Sequence, residues 1–136
     1  MLHLEIVDPT GHLLSEEVDE VVARGINGEF GILPGHVPFM TLLDVGECVY
    51  KKEGKTYAIF INSGYAEFNN DRVTILAEGA EKPEDIDIER AEASLKRAEK
   101  RLKAKQMEGT DFARAEAALK RSLIRLQMAK KYIHLG

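Results

Sequence analysis

A β + α chain is predicted, with a sandwich or flattened barrel of short strands over residues 1–84 and an antiparallel two-helix hairpin over residues 85–136. Three observations predict it. All eight valines, all four prolines and nine of the 11 glycines precede residue 85, whereas nine of the 14 alanines follow it. Valine with glycine punctuation suits strands and turns, while Ala, Leu, Glu, Lys and Arg suit helix. Charge divides at the same place: residues 1–84 carry 6 basic against 15 acidic side chains, and residues 85–136 carry 13 against 8, within a total of −4. Finally, the second part contains an internal repeat. The boundary falls at Glu81-Lys82-Pro83-Glu84, and 136 residues leave room for two small domains at most.

The first module is justified strand by strand. His3–Val7 alternates and closes on Asp8-Pro9-Thr10-Gly11, a turn by composition. Val18, Val21 and Val22 sit in a second segment that ends at Gly25. Ile26-Asn27-Gly28-Glu29 offers a hairpin turn, because Asn-Gly tolerates the positive φ angles of two-residue turns. Phe30–Leu33 is short and stops at Pro34-Gly35; Val45–Lys51, Thr56–Asn62 and Val73–Ala77 are further strands, turned at Glu53-Gly54 and Asn69-Asn70-Asp71. Strands this short and frequent imply a sandwich with one core and no deep substrate cavity.

In the second module, Arg90–Leu102 recurs as Arg114–Leu126 with nine of 13 positions identical. Ala91, Leu95, Ala98 and Leu102 fall on one helical face; Phe112, Ala115, Leu119, Ser122, Leu126, Ala129 and Ile133 do the same in the second copy. Glu92–Lys96, Glu99–Lys103 and Glu116–Lys120 stand in the favourable i, i+4 order. Gly109 is expected to end the first helix and Thr110 or Asp111 to cap the second. An alanine seam is thin, since each methyl contributes roughly 0.8 kcal/mol against about 1.5–3 for a leucine. The hairpin is therefore either marginally stable and able to open, or simply closely packed.

The chemistry is mostly exclusion. Cys48 is the one cysteine, which rules out an internal disulfide framework and a thiolate zinc site. No 18-residue apolar run exists, and the start lacks the regions of an export signal, so neither a membrane span nor secretion is expected. Gly54-Lys55-Thr56 lacks the earlier glycine of a phosphate-binding loop, Val49 standing there instead. His3, His12, His36 and His134 have no metal-ligand spacing, and Ser15, Ser63, Ser94 and Ser122 have no nucleophile context. No catalytic residue and no metal site is expected. Arg90, Arg97 and Arg101, repeated as Arg114, Arg121 and Arg125, form two basic rows that folding brings together. Such forks suit phosphate oxygens, or else make a solvated basic face. The overall acidic balance argues against nucleic acid.

Gly28-Glu-Phe-Gly-Ile-Leu-Pro-Gly-His-Val-Pro-Phe-Met-Thr-Leu-Leu43 closely resembles the epsilon-subunit family of F-type ATP synthases (delta in mitochondrial naming), and Ser63-Gly-Tyr-Ala-Glu-Phe-Asn-Asn-Asp-Arg-Val-Thr-Ile-Leu-Ala77 matches its second signature. Leu33-Pro34-Gly35-His36 is the sharpest element, and the resemblance covers essentially the whole chain. It implies a ten-stranded β-sandwich followed by a helical hairpin. It further implies a non-catalytic place in the central stalk, bound to the gamma subunit and the c-subunit ring, with peripheral membrane association at the cytoplasmic face of a bacterial cell membrane. The segment Gly28–Ile32 resembles the part that touches the polar loops of the ring, making Glu29 the contact candidate, with Phe30, Gly31 and His36 as lesser ones. The same residues equally suit a tight turn.

The family's helical part restrains ATP hydrolysis. Helices of about 20 residues span roughly 30 Å folded, and opened end to end the segment reaches about 75 Å, towards the alpha/beta catalytic head. Some bacterial members bind ATP through Ile/Leu-Asp-x-x-Arg-Ala, which stands here as Ile86-Asp87-Ile88-Glu89-Arg90-Ala91. Glu81, Arg97, Arg121 and Arg125 match further positions of that site. The resemblance thus implies no required cofactor and ATP as a regulatory ligand. Asp87 accepts from adenine or ribose on this reading, or else caps the first helical turn. A free-standing regulatory adaptor and a nucleic-acid-binding hairpin remain as alternatives, and neither accounts for Leu33–His36.

Overall fold

The computed structural model describes residues 1–104 and 109–132; Ile133 of the expected seam and His134 lie outside the described residues. Contacts divide the chain into Met1–Lys82 and Pro83–Gly136.

Ten strands form the first unit among the described residues: β1 Leu2–Asp8, β2 Gly11–Val18, β3 Glu20–Gly25, β4 Gly28–Ile32, β5 Phe39–Leu43, β6 Gly46–Lys52, β7 Lys55–Ile61, β8 Gly64–Asn69, β9 Arg72–Ala77 and β10 Ala80–Glu81. They hydrogen-bond in the order β10-β7-β6-β3-β5-β8-β9-β1-β2, with β4 branching from β3. The sheet bends at β3, which pairs with β6 through Glu20–Val22 and with β5 only at Gly25↔Leu43. A Cβ on Gly25 would stand 3.2 Å from Thr41 Oγ1, so this corner is closely packed. Folding the sheet over brings alternate side chains inward: Leu2, Leu4 and Ile6 from β1, Val73, Ile75 and Ala77 from β9, Ala66 and Phe68 from β8, Cys48 and Tyr50 from β6. Each fully buried large side chain contributes about 1.5–3 kcal/mol, and period-2 alternation is what lets one face supply them all. The pair β1–β9 is parallel, Leu4 facing Val73; the other pairs are antiparallel.

Two expectations shift. Val18 belongs to β2, separated by Asp19 from Val21 and Val22 on β3, so the expected second segment is two strands. The β3–β4 turn centres on Ile26-Asn27, because Gly25 pairs with Gly28, and the positive φ (+120°) falls on Gly28. Strands β5, β8 and β10, and most of β2, add to those expected from the sequence.

In the second unit a 3-10 turn at Pro83–Asp85 leads to α1 Ile88–Leu102 and α2 Gly109–Tyr132. Asp87 is the N-cap of α1: its Oδ1 accepts the Arg90 backbone N–H at 3.0 Å. Helix α1 stops at Leu102 with Lys103 as its cap residue, so Gly109 does not end it; Gly109, at φ +60°, opens α2 instead. The two helices pack together, and the short connection makes them antiparallel. The seam is as thin as expected: Ala91 and Ala98 are buried on α1, Ala115, Ser122, Leu126 and Ala129 on α2, with Leu95, Leu102 and Leu119 half-buried. Phe112, expected on that seam, is 41% exposed, whereas Met128, far round the helix from it, is buried. The 3-10 turn also packs against α2. Among the described residues, Glu92 and Glu99 make no ion pair within 4 Å with Lys96 or Lys103; these side chains point into solvent, where such pairs contribute little.

Candidate functional site

Strand β4 runs from the turn at Ile26-Asn27 to the loop at residues 33–38. Glu29 is exposed beside the turn at one end of the sandwich. Phe30 is half-buried, packed edge-on to Phe39 with ring centroids 5.2 Å apart, and Gly31 is exposed. His36 lies in the loop beyond β4, and its ring meets the same Phe39. The structure thus brings Phe30 and His36 together through Phe39, whereas Glu29 is exposed beside the turn with Ile26.

The His36 loop is built by short-range bonds. Gly35 takes φ +84°, His36 N donates to Leu33 O at 3.1 Å, and His36 Nδ1 donates to Val37 O at 2.7 Å. The imidazole lies 5.3 Å from Phe39 and 5.7 Å, edge-on, from Phe68. With the ring held there, Leu33 and Val37 are left exposed at the loop's surface.

The outer face of β5, β8 and β9 carries a feature the sequence reading missed. Register places Leu42 beside Tyr65 and Tyr65 beside Leu76, with Val7 of β1 next in line. Leu42 is 58% exposed and Met40 66%. Met40, Thr41, Leu42 and Tyr65 line an open groove of about 330 Å³. An apolar row across a solvent-facing sheet is the mark of a protein contact. Its signal was hidden because both faces of Phe39–Leu43 are apolar, which erases the alternation.

On β1 and β2, Ser15 Oγ lies 3.1 Å from His3 Nε2, and His3 Nδ1 lies 2.6 Å from Glu17 Oε1. This has the connectivity of a nucleophilic triad. Glu5, however, is the register partner of Ser15, and its carboxylate is held by His12 and Arg72. His3 of β1 thus bridges Ser15 and Glu17 of β2, and the three residues form a cross-strand tie.

In the helical unit, Arg90 and Arg97 lie roughly 100–120° round α1 from the Ala91–Ala98 seam, and Arg121 and Arg125 lie at a similar offset, in the same sense, round α2. Equal offsets of the same sense in antiparallel helices fall on one flank. These four guanidinium groups thus share one side of the hairpin with Arg101 and Arg114, which stand at the same offset before Leu102 and Ala115. Arg90 and Arg97 are exposed, Arg121 and Arg125 half-buried. Arg97 donates to Ser94 Oγ at 3.1 Å, which directs its fork along the flank. Asp87, exposed, stands at the start of α1 with one oxygen engaged in the cap. Ile86 and Ala91 are buried and supply packing rather than polar contacts. Glu81 belongs to the other unit, on β10 opposite Phe60.

Residues 1–83 match the family model of the ATP synthase delta/epsilon chain beta-sandwich domain, and residues 84–130 match that of its long alpha-helix domain. The ATP synthase epsilon chain of Geobacter sp. (strain M21) is 53% identical over 130 residues, 96% of this chain and 94% of that one. The epsilon chain of Thermodesulfovibrio yellowstonii is 52% identical over 134 residues, 97% and 96% of the two chains. Among solved structures, a chain of the Euglena gracilis mitochondrial ATP synthase OSCP/F1/c-ring assembly superposes with a TM-score of 0.81 at 26% identity, covering 95% of this chain and 81% of that one. A chain of the Tetrahymena thermophila central stalk and c-ring shares the fold at a TM-score of 0.62 and 8% identity, over 94% and 96%. Sandwich and hairpin, in that order and over nearly their whole length, place the chain in the ATP synthase delta/epsilon chain family.

Proposed function

We propose that the chain is the non-catalytic central-stalk subunit of a bacterial F-type ATP synthase, peripheral to the cytoplasmic face of the cell membrane. Its sandwich couples rotation of the c-subunit ring to the catalytic head, and its hairpin regulates ATP hydrolysis. The observation that carries this reading is the match of both parts, in order, to relatives that are epsilon chains. The apolar row Leu42–Tyr65–Leu76 is offered to the gamma subunit. Glu29, exposed at the turn end, is offered to the polar loops of the ring.

The hairpin works as a two-state element. Opened, its helices, 15 and 24 residues long, reach roughly 58 Å at 1.5 Å per residue and carry arginine rows to the acidic surface of the alpha/beta head. Closed, the arginine flank holds ATP: Arg90, Arg97, Arg121 and Arg125 take the phosphate oxygens, and Asp87 accepts from the adenine amine or a ribose hydroxyl with the oxygen that the cap leaves over. The donor set fits a polyphosphate, because guanidinium forks bind its oxygens in pairs. ATP then favours the closed form by its differential affinity. No cofactor is required on this reading.

Reconstitution with the gamma subunit and the catalytic head tests it. Retention on that complex and inhibition of hydrolysis are expected, and a cross-link joining the two helices is expected to abolish inhibition while leaving retention. Persistent inhibition by the cross-linked chain removes the switching role. Failure to be retained favours a free-standing adaptor.

A further inference from the structure

Ser122 is the one buried polar or charged residue among the described residues, 2% exposed on the face of α2 that meets α1. Its counterpart in the internal repeat is Ala98, also 2% exposed. Two copies of one helical motif thus bury the same kind of seam position, once with a methyl and once with a hydroxyl. The hydroxyl donates to Ala118 O, one turn earlier in its own helix, at 2.8 Å. That bond is intrahelical, so it survives whether the helices are together or apart. Separation changes only the solvent: in the closed hairpin the Oγ lone pairs meet no water, and in the open form they are hydrated.

We infer that Ser122 sets the balance between closed and open hairpin, weakening the seam through the desolvation of its hydroxyl. A hydroxyl that keeps one bond but loses its water is less favourable when buried than the methyl of alanine. Serine therefore tilts the equilibrium toward opening relative to the otherwise equivalent Ala98 side of the seam. Ser and Ala are nearly equal in volume, so closure still occurs. A larger residue at a seam of alanines would force the helices apart. This rests on the reading of the hairpin as an element that opens.

The test uses the full chain with Leu126→Cys, which places a thiol in the closed seam without adding volume. A soluble thiol reagent then modifies that seam thiol at a rate proportional to the open fraction. Cys48, buried in the sandwich with its thiol pushed up to about 12 by burial, serves as the internal reference for opening of the other unit. Adding Ser122→Ala is expected to slow modification of the seam thiol severalfold, at unchanged Cys48 reactivity and unchanged helix content. Adding Ser122→Leu is expected to accelerate it. A seam-thiol rate within twofold of the parent in Ser122→Ala overturns the inference but leaves the opening hairpin intact. A seam thiol modified no faster than Cys48 in every variant shows that the hairpin does not open, and overturns both.

Discussion

The Asp71 carboxylate accepts the Gly35 backbone N–H at 2.8 Å, tying the β8–β9 turn to the loop that carries His36. The Asp71 carbonyl also accepts from His3 N at 2.9 Å, so one residue joins the loop, the turn and the first strand. Asp71→Ala is expected to lower stability by about 1.5 kcal/mol, the low end for a hydrogen bond to a charged group. Because Asp71 sits at φ +57°, which asparagine tolerates better than alanine, Asp71→Asn is expected to lose less. Urea midpoints of the two variants decide it; midpoints equal to the parent's in both would mean the carboxylate does not hold the loop.

Gly64 leaves no room for a side chain. A Cβ there would stand 2.1 Å from Leu76 O, at a φ of +138°. Since Leu76 O is backbone, neither side can give way cheaply, and Gly64→Ala is expected to destabilise the sandwich by about 3 kcal/mol or more. Gly31→Ala is the control, its nearest neighbour being a Val22 methyl at 3.8 Å. A Gly64→Ala chain that unfolds at the parent midpoint refutes the β8 start described above.

At the start of α1 capping and ligand binding are separable. Arg90 contributes its backbone N–H to the Asp87 cap, so Arg90→Ala keeps the cap and removes the guanidinium. Calorimetric titration is expected to show saturable ATP binding to the parent chain and none to Arg90→Ala, at equal helix content. Asp87→Ala is expected to lower helix stability by about 1 kcal/mol as well. No heat with the parent at millimolar ATP would leave Asp87 with the cap alone.

Acid stability should depend on Asp8. The Thr10 hydroxyl holds its carboxyl below the ordinary range against the opposing effect of burial, helped by backbone bonds at Thr10, Ala80 and Gly11. A lowered folded value means the stabilisation is complete above the unfolded value, about 3.9, and is lost as pH falls through the folded one. The stability gap between the parent and Asp8→Asn should therefore narrow as pH drops below about 4. A gap that stays constant through that window would show that the Thr10 bond does not favour the ionised form.

Much of this architecture is legible in the residues, and the misses have physical causes. Alternation is clean in Leu2–Ile6 and Val73–Ile75 because one side faces the core and the other water. It fails in Phe39–Leu43, where Met40 and Leu42 are apolar and exposed, and in Gly11–Val18, where Glu16 and Glu17 dilute the pattern. The helical repeat reveals its seam directly, yet Phe112 turns outward and Met128 inward, since neither depends on period alone. Among candidate site residues, the arginine flank follows from spacing. The meeting of Phe30 and His36 on Phe39 does not, because the loop between them has no period to place it.

The parallel pairing of β1 with β9 carries a consequence for synthesis. Leu4 leaves the ribosome early, and Val73, its neighbour in the sheet, comes only after most of the sandwich has been made. Until then Leu2, Leu4 and Ile6 have β2 beside them and lack β9, with part of their apolar surface uncovered. Such long-range closure is slow, because the entropy of the intervening loop opposes it before any contact rewards it. The nascent sandwich thus stays incomplete until the β9 segment emerges, and the hairpin that follows is translated onto a domain whose first strand has only just found its place.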